Sequence, residues 1–122
     1  MKRGEIWTIA GGGDFTGKAR PVVIVQDDRF GGSDSVTVCA CTSDPSDLPL
    51  FRITVQPNEQ NGLASVTRVM ADKIITVNRR RLGTRIGSLD AEDMSALGRA
   101  ILVYLGFGTT AGAQSQTPEP EA

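Results

Sequence analysis

Along most of this chain apolar and polar residues alternate in short bursts, the period of half-buried strands, and only near its end does the spacing become helical. Residues 3–9, with Ile6 and Trp7, predict a first strand that Gly11-Gly12-Gly13 breaks into a loop running to Gly17. A nearly uninterrupted apolar strand follows over 21–26, opened by Arg20. The polar, glycine-containing run 27–34 leads to a third strand over 35–41, where Val36, Val38 and Ala40 alternate and which delivers Thr42-Ser43 at its end. After a loop over 44–49, Phe51, Ile53 and Val55 alternate with Arg52 and Thr54, the pattern of a strand with one wet face. Residues 56–62 turn the chain. The mixture of Val66, Val69, Met70, Ile74, Ile75 and Val77 over 65–77 predicts a strand pair or one bent strand.

Asp90 followed by Glu92 and Asp93 is a helix start, because a capping carboxylate and acids in the first turn suit the positive end of the helix dipole. Met94, Leu97, Ile101, Tyr104 and Leu105 then recur at helical spacing, so one face of a helix over 91–105 packs on the sheet until Gly106 and Gly108 stop it. Residues 109–122 lack large apolar groups and cannot offset their ordering entropy, which predicts one domain over 1–108 and a disordered tail. Several short strands and one terminal helix predict a mainly β fold of the α+β class: a small, highly curved sheet or barrel, since a flat sheet of this size leaves edges and a face uncovered.

Composition narrows the chemistry. With 39% hydrophobic and 22% charged residues the chain is an ordinary globular domain, and the apolar run 21–25 is far short of the ~20 residues a membrane span needs. The start Met1-Lys2-Arg3-Gly4-Glu5 lacks the apolar stretch of a signal peptide, so the expectation is a cytoplasmic protein that does not engage a membrane. There is no histidine, and Cys39 and Cys41 share one strand face without facing each other, so neither a disulfide nor a built-in metal site is expected, and no cofactor. The net charge is −1, yet residues 1–87 hold 12 of the 13 basic groups and 9 of the 14 acidic ones, which leaves the main body at +3. Arg79, Arg80, Arg81 and Arg85 form a basic cluster that reads either as a phosphate contact or, slightly preferred, as a solvated turn.

Without histidine, proton transfer falls to other side chains. An arginine and a hydroxyl at the ends of buried strands, Arg20 and Thr42, can grip a phosphodiester and its sugar, which points to phosphate chemistry on a nucleic acid. On the residues alone, Arg20 as a strand-end ion-pair partner and Thr42 as a turn former remain open.

The succession Arg3-Gly4-Glu5-Ile6-Trp7, Gly17-Lys18-Ala19-Arg20-Pro21-Val22-Val23-Ile24-Val25-Gln26-Asp27 and Thr42-Ser43 resembles the opening of the MazF/PemK (Kid) family of bacterial toxins. Pro49-Leu50-Phe51-Arg52-Ile53, Asn61-Gly62-Leu63, Val69-Met70-Ala71-Asp72-Lys73-Ile74, Arg81-Leu82 and Ile86-Gly87-Ser88-Leu89 follow in the family's order, and the resemblance covers roughly residues 2–107. It implies an SH3-like barrel with a terminal helix, a homodimer, and a metal-independent, sequence-specific endoribonuclease that cuts single-stranded messenger RNA and is held inactive by a cognate antitoxin. The catalytic pair of the family matches Arg20 and Thr42, with the ribose 2′-hydroxyl attacking phosphorus. A guanidinium can stabilise the developing charge.

Asp14, Phe15, Thr16 and Lys18 of the first loop, together with Ser43, Asp72 and Lys73, are the expected RNA contacts, with Asp14 standing in for a family acid that does not carry over. Departures are visible. The loop reads Asp14-Phe15-Thr16 where relatives have Ser-Glu-Gln, and Asp72-Lys73-Ile74-Ile75-Thr76 replaces an acid-Gln-Ile-Arg-Thr run, which bears on the sequence cut. Phe15 reads as a base-stacking residue or as a loop anchor, and Asp72 as a binding acid or a polar residue at a strand's wet edge. Trp7 reads as core or subunit interface. The competing functions are a CcdB-like toxin that binds gyrase, disfavoured because the chain ends in Glu119-Pro120-Glu121-Ala122 rather than Trp-Gly-Ile, and an inactive module that binds RNA or an antitoxin.

Overall fold

A computed structural model of the protein describes residues 1–10, 19–45 and 50–108. The loop candidates Asp14, Phe15, Thr16 and Lys18, and the tail over 109–122, lie outside the described residues. Six strands make one antiparallel sheet: β1 (Glu5–Ile9), β2 (Arg20–Ile24), β3 (Ser35–Thr42), β4 (Arg52–Val55), β5 (Thr67–Asn78) and β6 (Leu82–Ser88), followed by helix α1 (Ala91–Tyr104). The spatial order is β4-β5-β3-β2-β1-β6. This is the mainly β fold with a terminal helix that the pattern predicts, although the hydrogen-bonded ladder does not close and leaves β4 and β6 as its ends.

Both faces of the central strands are buried, as the continuous apolar run of β2 requires. Val23 packs with Ile6, Cys39, Cys41, Val69 and the helix residues Leu97 and Ala100, whereas its neighbours Val22 and Ile24 pack with Ile9, Val36, Val38, Val77 and Leu82. Helix α1 covers the first cluster. Its start follows the expected chemistry, the Asp90 carboxylate accepting from the Asp93 amide at 2.8 Å, and Gly106 ends it with φ +83°.

Two segments show what the pattern left open or missed. Of the two readings for 65–77, one bent strand is the one found, β5 (Thr67–Asn78): Cys39 pairs with Ile74 and Cys41 with Val69, so β5 uses five residues where β3 uses two. The extra residues, around Met70 to Lys73, form a bulge, and that is why the apolar pattern there has no single period. Strand β6 was not expected at all. Its sequence Leu-Gly-Thr-Arg-Ile-Gly-Ser carries little alternation, and it exists through pairing with β1, where Glu5 meets Ser88 and Ile9 meets Leu82. The basic cluster ahead of it is only partly a solvated turn, because Arg79 donates to the carbonyls of Ser33 at 2.7 Å and Gly31 at 2.6 Å and so ties the β2–β3 connection.

The connection from β4 to β5 is seated on β6. Gly62 (φ +67°) lies so close to the Ile86 carbonyl, and Gly87 so close to Gln60, that a Cβ on either collides with backbone. Asn61, only 1% exposed, fastens this loop: its Nδ2 donates to Gln56 O at 2.9 Å, and its Oδ1 accepts from Asn58 N and Leu63 N.

Candidate active site

Antiparallel register brings the two sequence candidates together. Val22 pairs with Ala40 and Ile24 with Val38, a register whose continuation past the last paired residues runs toward Arg20 and Thr42, and both side chains line the same hollows. Thr42 in turn pairs with Arg68 on β5, which pairs with Thr54 on β4. Thr54, Arg68 and Thr42 therefore form a cross-strand row on one face of the sheet.

Arg20 and Thr42 both line each of two adjacent cavities. The first, about 270 Å³, is walled by apolar Ile9, Pro21, Val22, Ala40, Met70 and Ile75 and also lined by Arg52, Arg81 and Asp44. The second, about 430 Å³, lies toward the Asn61 loop and is lined by Ser43, Gly62, Leu63, Ala64, Ser65 and Thr67. The catalytic candidates thus sit where the two hollows meet. The Thr42 Oγ1 accepts from the Asp44 amide at 3.0 Å, a turn bond that fixes the oxygen and leaves its proton to be donated.

Arg52 holds the wall of the first cavity. Its Nε donates to Asp72 Oδ1 at 3.0 Å and its Nη2 to Oδ2 at 2.9 Å, and the two side chains are only 13% and 12% exposed. The Arg52 hydrogen bonds, outweighing burial, hold the Asp72 carboxyl below its ordinary value of 3.8, and the same bonds raise the Arg52 guanidinium. The cysteines are chemically quiet. Burial, with a smaller push from Asp72, raises the Cys39 thiol to about 12, and burial raises Cys41 further.

The structure therefore joins Arg20, Thr42 and Ser43. Asp72 instead stands behind Arg52 with both carboxylate oxygens engaged, so it is neither on a wet edge nor among the residues lining the two cavities; Lys73, exposed on the bulge, does not line them either. Trp7 is half-buried against the second core cluster, its Nε1 donating to Glu5 Oε1 at 2.9 Å. Sequence reading missed Arg52, Arg68 and Arg81 as neighbours of the pair. Arg52 was assigned to a wet face by simple alternation, and Arg68 becomes a neighbour of Thr42 only through the register beyond the bulge.

Residues 2–105 match the family model described as a PemK-like, MazF-like toxin of type II toxin–antitoxin systems. The chain is 48% identical over 107 residues to a probable endoribonuclease MazF of Mycolicibacterium smegmatis, a match covering 88% of this chain and 98% of that protein. Among solved structures it resembles an endoribonuclease in complex with its cognate antitoxin from a mycobacterial species (TM-score 0.75, 22% identity, 90% of this chain and 99% of the other). It also resembles the Mycobacterium tuberculosis toxin MazF-mt6 (TM-score 0.69, 29% identity, 84% and 96%).

Proposed function

We propose, from the premise that this chain belongs to the PemK-like, MazF-like toxin family of type II toxin–antitoxin systems, that Arg20 and Thr42 cut single-stranded RNA at a phosphodiester held between the two cavities. The protein is an endoribonuclease toxin. It acts on messenger RNA in the cytoplasm as a homodimer and is silenced by a cognate antitoxin.

The observation that carries the site is the shared position of Arg20 and Thr42 at the junction of both hollows, which lets one phosphate reach both side chains while its flanking nucleotides diverge. The ribose 2′-oxygen attacks the adjacent phosphorus, the bond from phosphorus to the 5′-oxygen breaks, and the products are a 2′,3′-cyclic phosphate and a 5′-hydroxyl. Arg20 donates two N–H bonds to the nonbridging oxygens as their negative charge grows, and the Thr42 hydroxyl donates a hydrogen bond to the same group and keeps its proton, while the 2′ proton passes to solvent water and the departing 5′-oxygen takes one from water. A guanidinium has no acceptor to offer, so Arg20 stabilises charge and does not abstract the 2′ proton. Neither reaction partner requires a metal ion in this scheme.

Incubation of the purified protein with a long single-stranded RNA in EDTA tests the reading. Discrete cuts ending in cyclic phosphate are expected, and Arg20→Ala lowers their rate by a factor on the order of a hundred or more at an unchanged melting temperature. Undiminished cutting by Arg20→Ala removes the pair from the mechanism, and gyrase inhibition without cuts favours a binding toxin.

A further inference from the structure

In the cleavage step the 2′ proton ends in solvent water, and a carboxylate stands where it can carry the proton there. Of the described residues that line the two hollows, Asp44 is the one acid. Asp72, by contrast, has both its oxygens bound to Arg52 and lines neither hollow. Asp44 is placed by the catalytic hydroxyl itself, because its amide donates to Thr42 Oγ1 at 3.0 Å. Only the α-carbon and one methylene lie between that nitrogen and the carboxyl group, so a phosphate touched by Thr42 brings its ribose within reach of the acid. Asp44 shares the smaller hollow with Arg20, Arg52 and Arg81, and its charge helps to raise the Arg52 guanidinium, after the larger effect of the Asp72 hydrogen bonds.

An acid in this place works against substrate binding. RNA presents phosphates, and a carboxylate among the arginines that receive them repels the ligand. We propose that Asp44 is the general base of the cleavage step: it takes the 2′ proton as the 2′-oxygen bonds to phosphorus and afterwards releases it to water. The inference rests on the nuclease reading. The electron pair of the 2′ O–H bond becomes the new oxygen–phosphorus bond. The pair of the breaking phosphorus–oxygen bond leaves with the 5′-oxygen, which takes a proton from water, and the proton held by Asp44 neutralises the hydroxide that this leaves. A carboxylate offers about four lone-pair sites, so one that bears an ion pair still has room for the ribose hydroxyl, whereas the neighbouring arginines have no acceptor at all.

Single-turnover cutting of a single-stranded RNA in EDTA, followed from about pH 6 to about pH 9, tests the assignment. A guanidinium stays charged over that range, the chain has no histidine, and burial holds the Cys41 thiol far above its ordinary value, so no other described group lining either hollow titrates there. Asp44→Asn keeps the backbone bond to Thr42 and should cut about a hundredfold more slowly near neutrality, the deficit shrinking about tenfold per pH unit toward alkali as hydroxide takes over the proton transfer. Formate should restore part of the rate to Asp44→Ala and none to Arg20→Ala. On an RNA whose ribose at the cut is 2′-deoxy, and which therefore cannot be cut, Asp44→Asn should bind at least as tightly as wild type, because a repelling charge is gone. Melting curves show that each variant is folded.

Wild-type rates in Asp44→Asn near neutral pH overturn the proposal. So does a loss of equal size at every pH together with weaker binding of the deoxy-substituted RNA, which makes Asp44 a support for the arginines instead. If Asp44→Asn does not fold, formate and Asp44→Ala decide alone, and absence of rescue counts against the base. Cutting that depends on Arg20 but not on Asp44 sinks the base and leaves the nuclease reading standing, whereas a wild-type protein that cuts no RNA sinks both.

Discussion

Two arginine–aspartate pairs in this molecule are built alike and differ in setting. Arg29 grips Asp27 through Nε and Nη2, each at 3.1 Å, and Arg52 grips Asp72 through the same two atoms at 3.0 and 2.9 Å. The first pair spans two residues of one loop, its side chains 78% and 47% exposed; the second joins β4 to β5 across the sheet with 13% and 12% exposure. Identical hydrogen-bond geometry therefore carries different meanings. In water the first competes with hydration and salt and shapes only a local turn, whereas the second is shielded, bridges residues twenty apart, and holds Arg52 in the wall of the hollow beside Arg20 and Thr42.

The comparison is broken most directly by removing one partner of each pair. Asp72→Ala should lower unfolding free energy by on the order of 2 kcal/mol in urea titrations, between the value below ~1 kcal/mol for exposed pairs and the ~3–5 kcal/mol for breaking fully buried ones. Arg29→Ala should leave the urea midpoint unchanged, and equal losses at the two sites would void the contrast. A second measurement sharpens it through pH. The Asp72 carboxyl is depressed in the fold, so the stability it contributes is present above 3.8, the ordinary aspartate value, and is lost as pH falls through the lower folded value. The gap in melting temperature between wild type and Asp72→Asn should hence be full at neutral pH and close in acid; a gap that widens in acid contradicts the assignment. The smallest effect is expected at 1 M salt, which screens exposed charges within about 3 Å: double-mutant coupling between Arg52 and Asp72 should persist there, while that between Arg29 and Asp27 should vanish.

Local patterning made much of this fold legible. The alternation of Val36 and Val38, the apolar run of β2 and the Asp90 cap each reflect interactions within a few residues, and the corresponding elements lie within a residue or two of expectation. What stayed hidden depends on pairing partners distant in sequence. Strand β6 takes its conformation from β1, and the bulge in β5 decides which of its side chains face Thr42. For the candidate site, Arg20 and Thr42 were legible because each ends a strand and the family resemblance joined them. Arg52 was not, because alternation separates the faces of a strand without telling whether a face is wet or closed over by neighbouring strands.

The Asn61 loop has a consequence for the keeping of the protein. An asparagine followed by glycine is the dipeptide most prone to lose ammonia, when the glycine amide nitrogen attacks the side-chain carbonyl and a succinimide forms. Here the Gly62 N–H is bound to Asn58 O at 3.1 Å and the Asn61 amide is held at both ends, so folded molecules resist that reaction while unfolded ones do not. An aspartate or isoaspartate appearing at this position in stored protein is accordingly a chemical clock, recording the time each molecule has spent open.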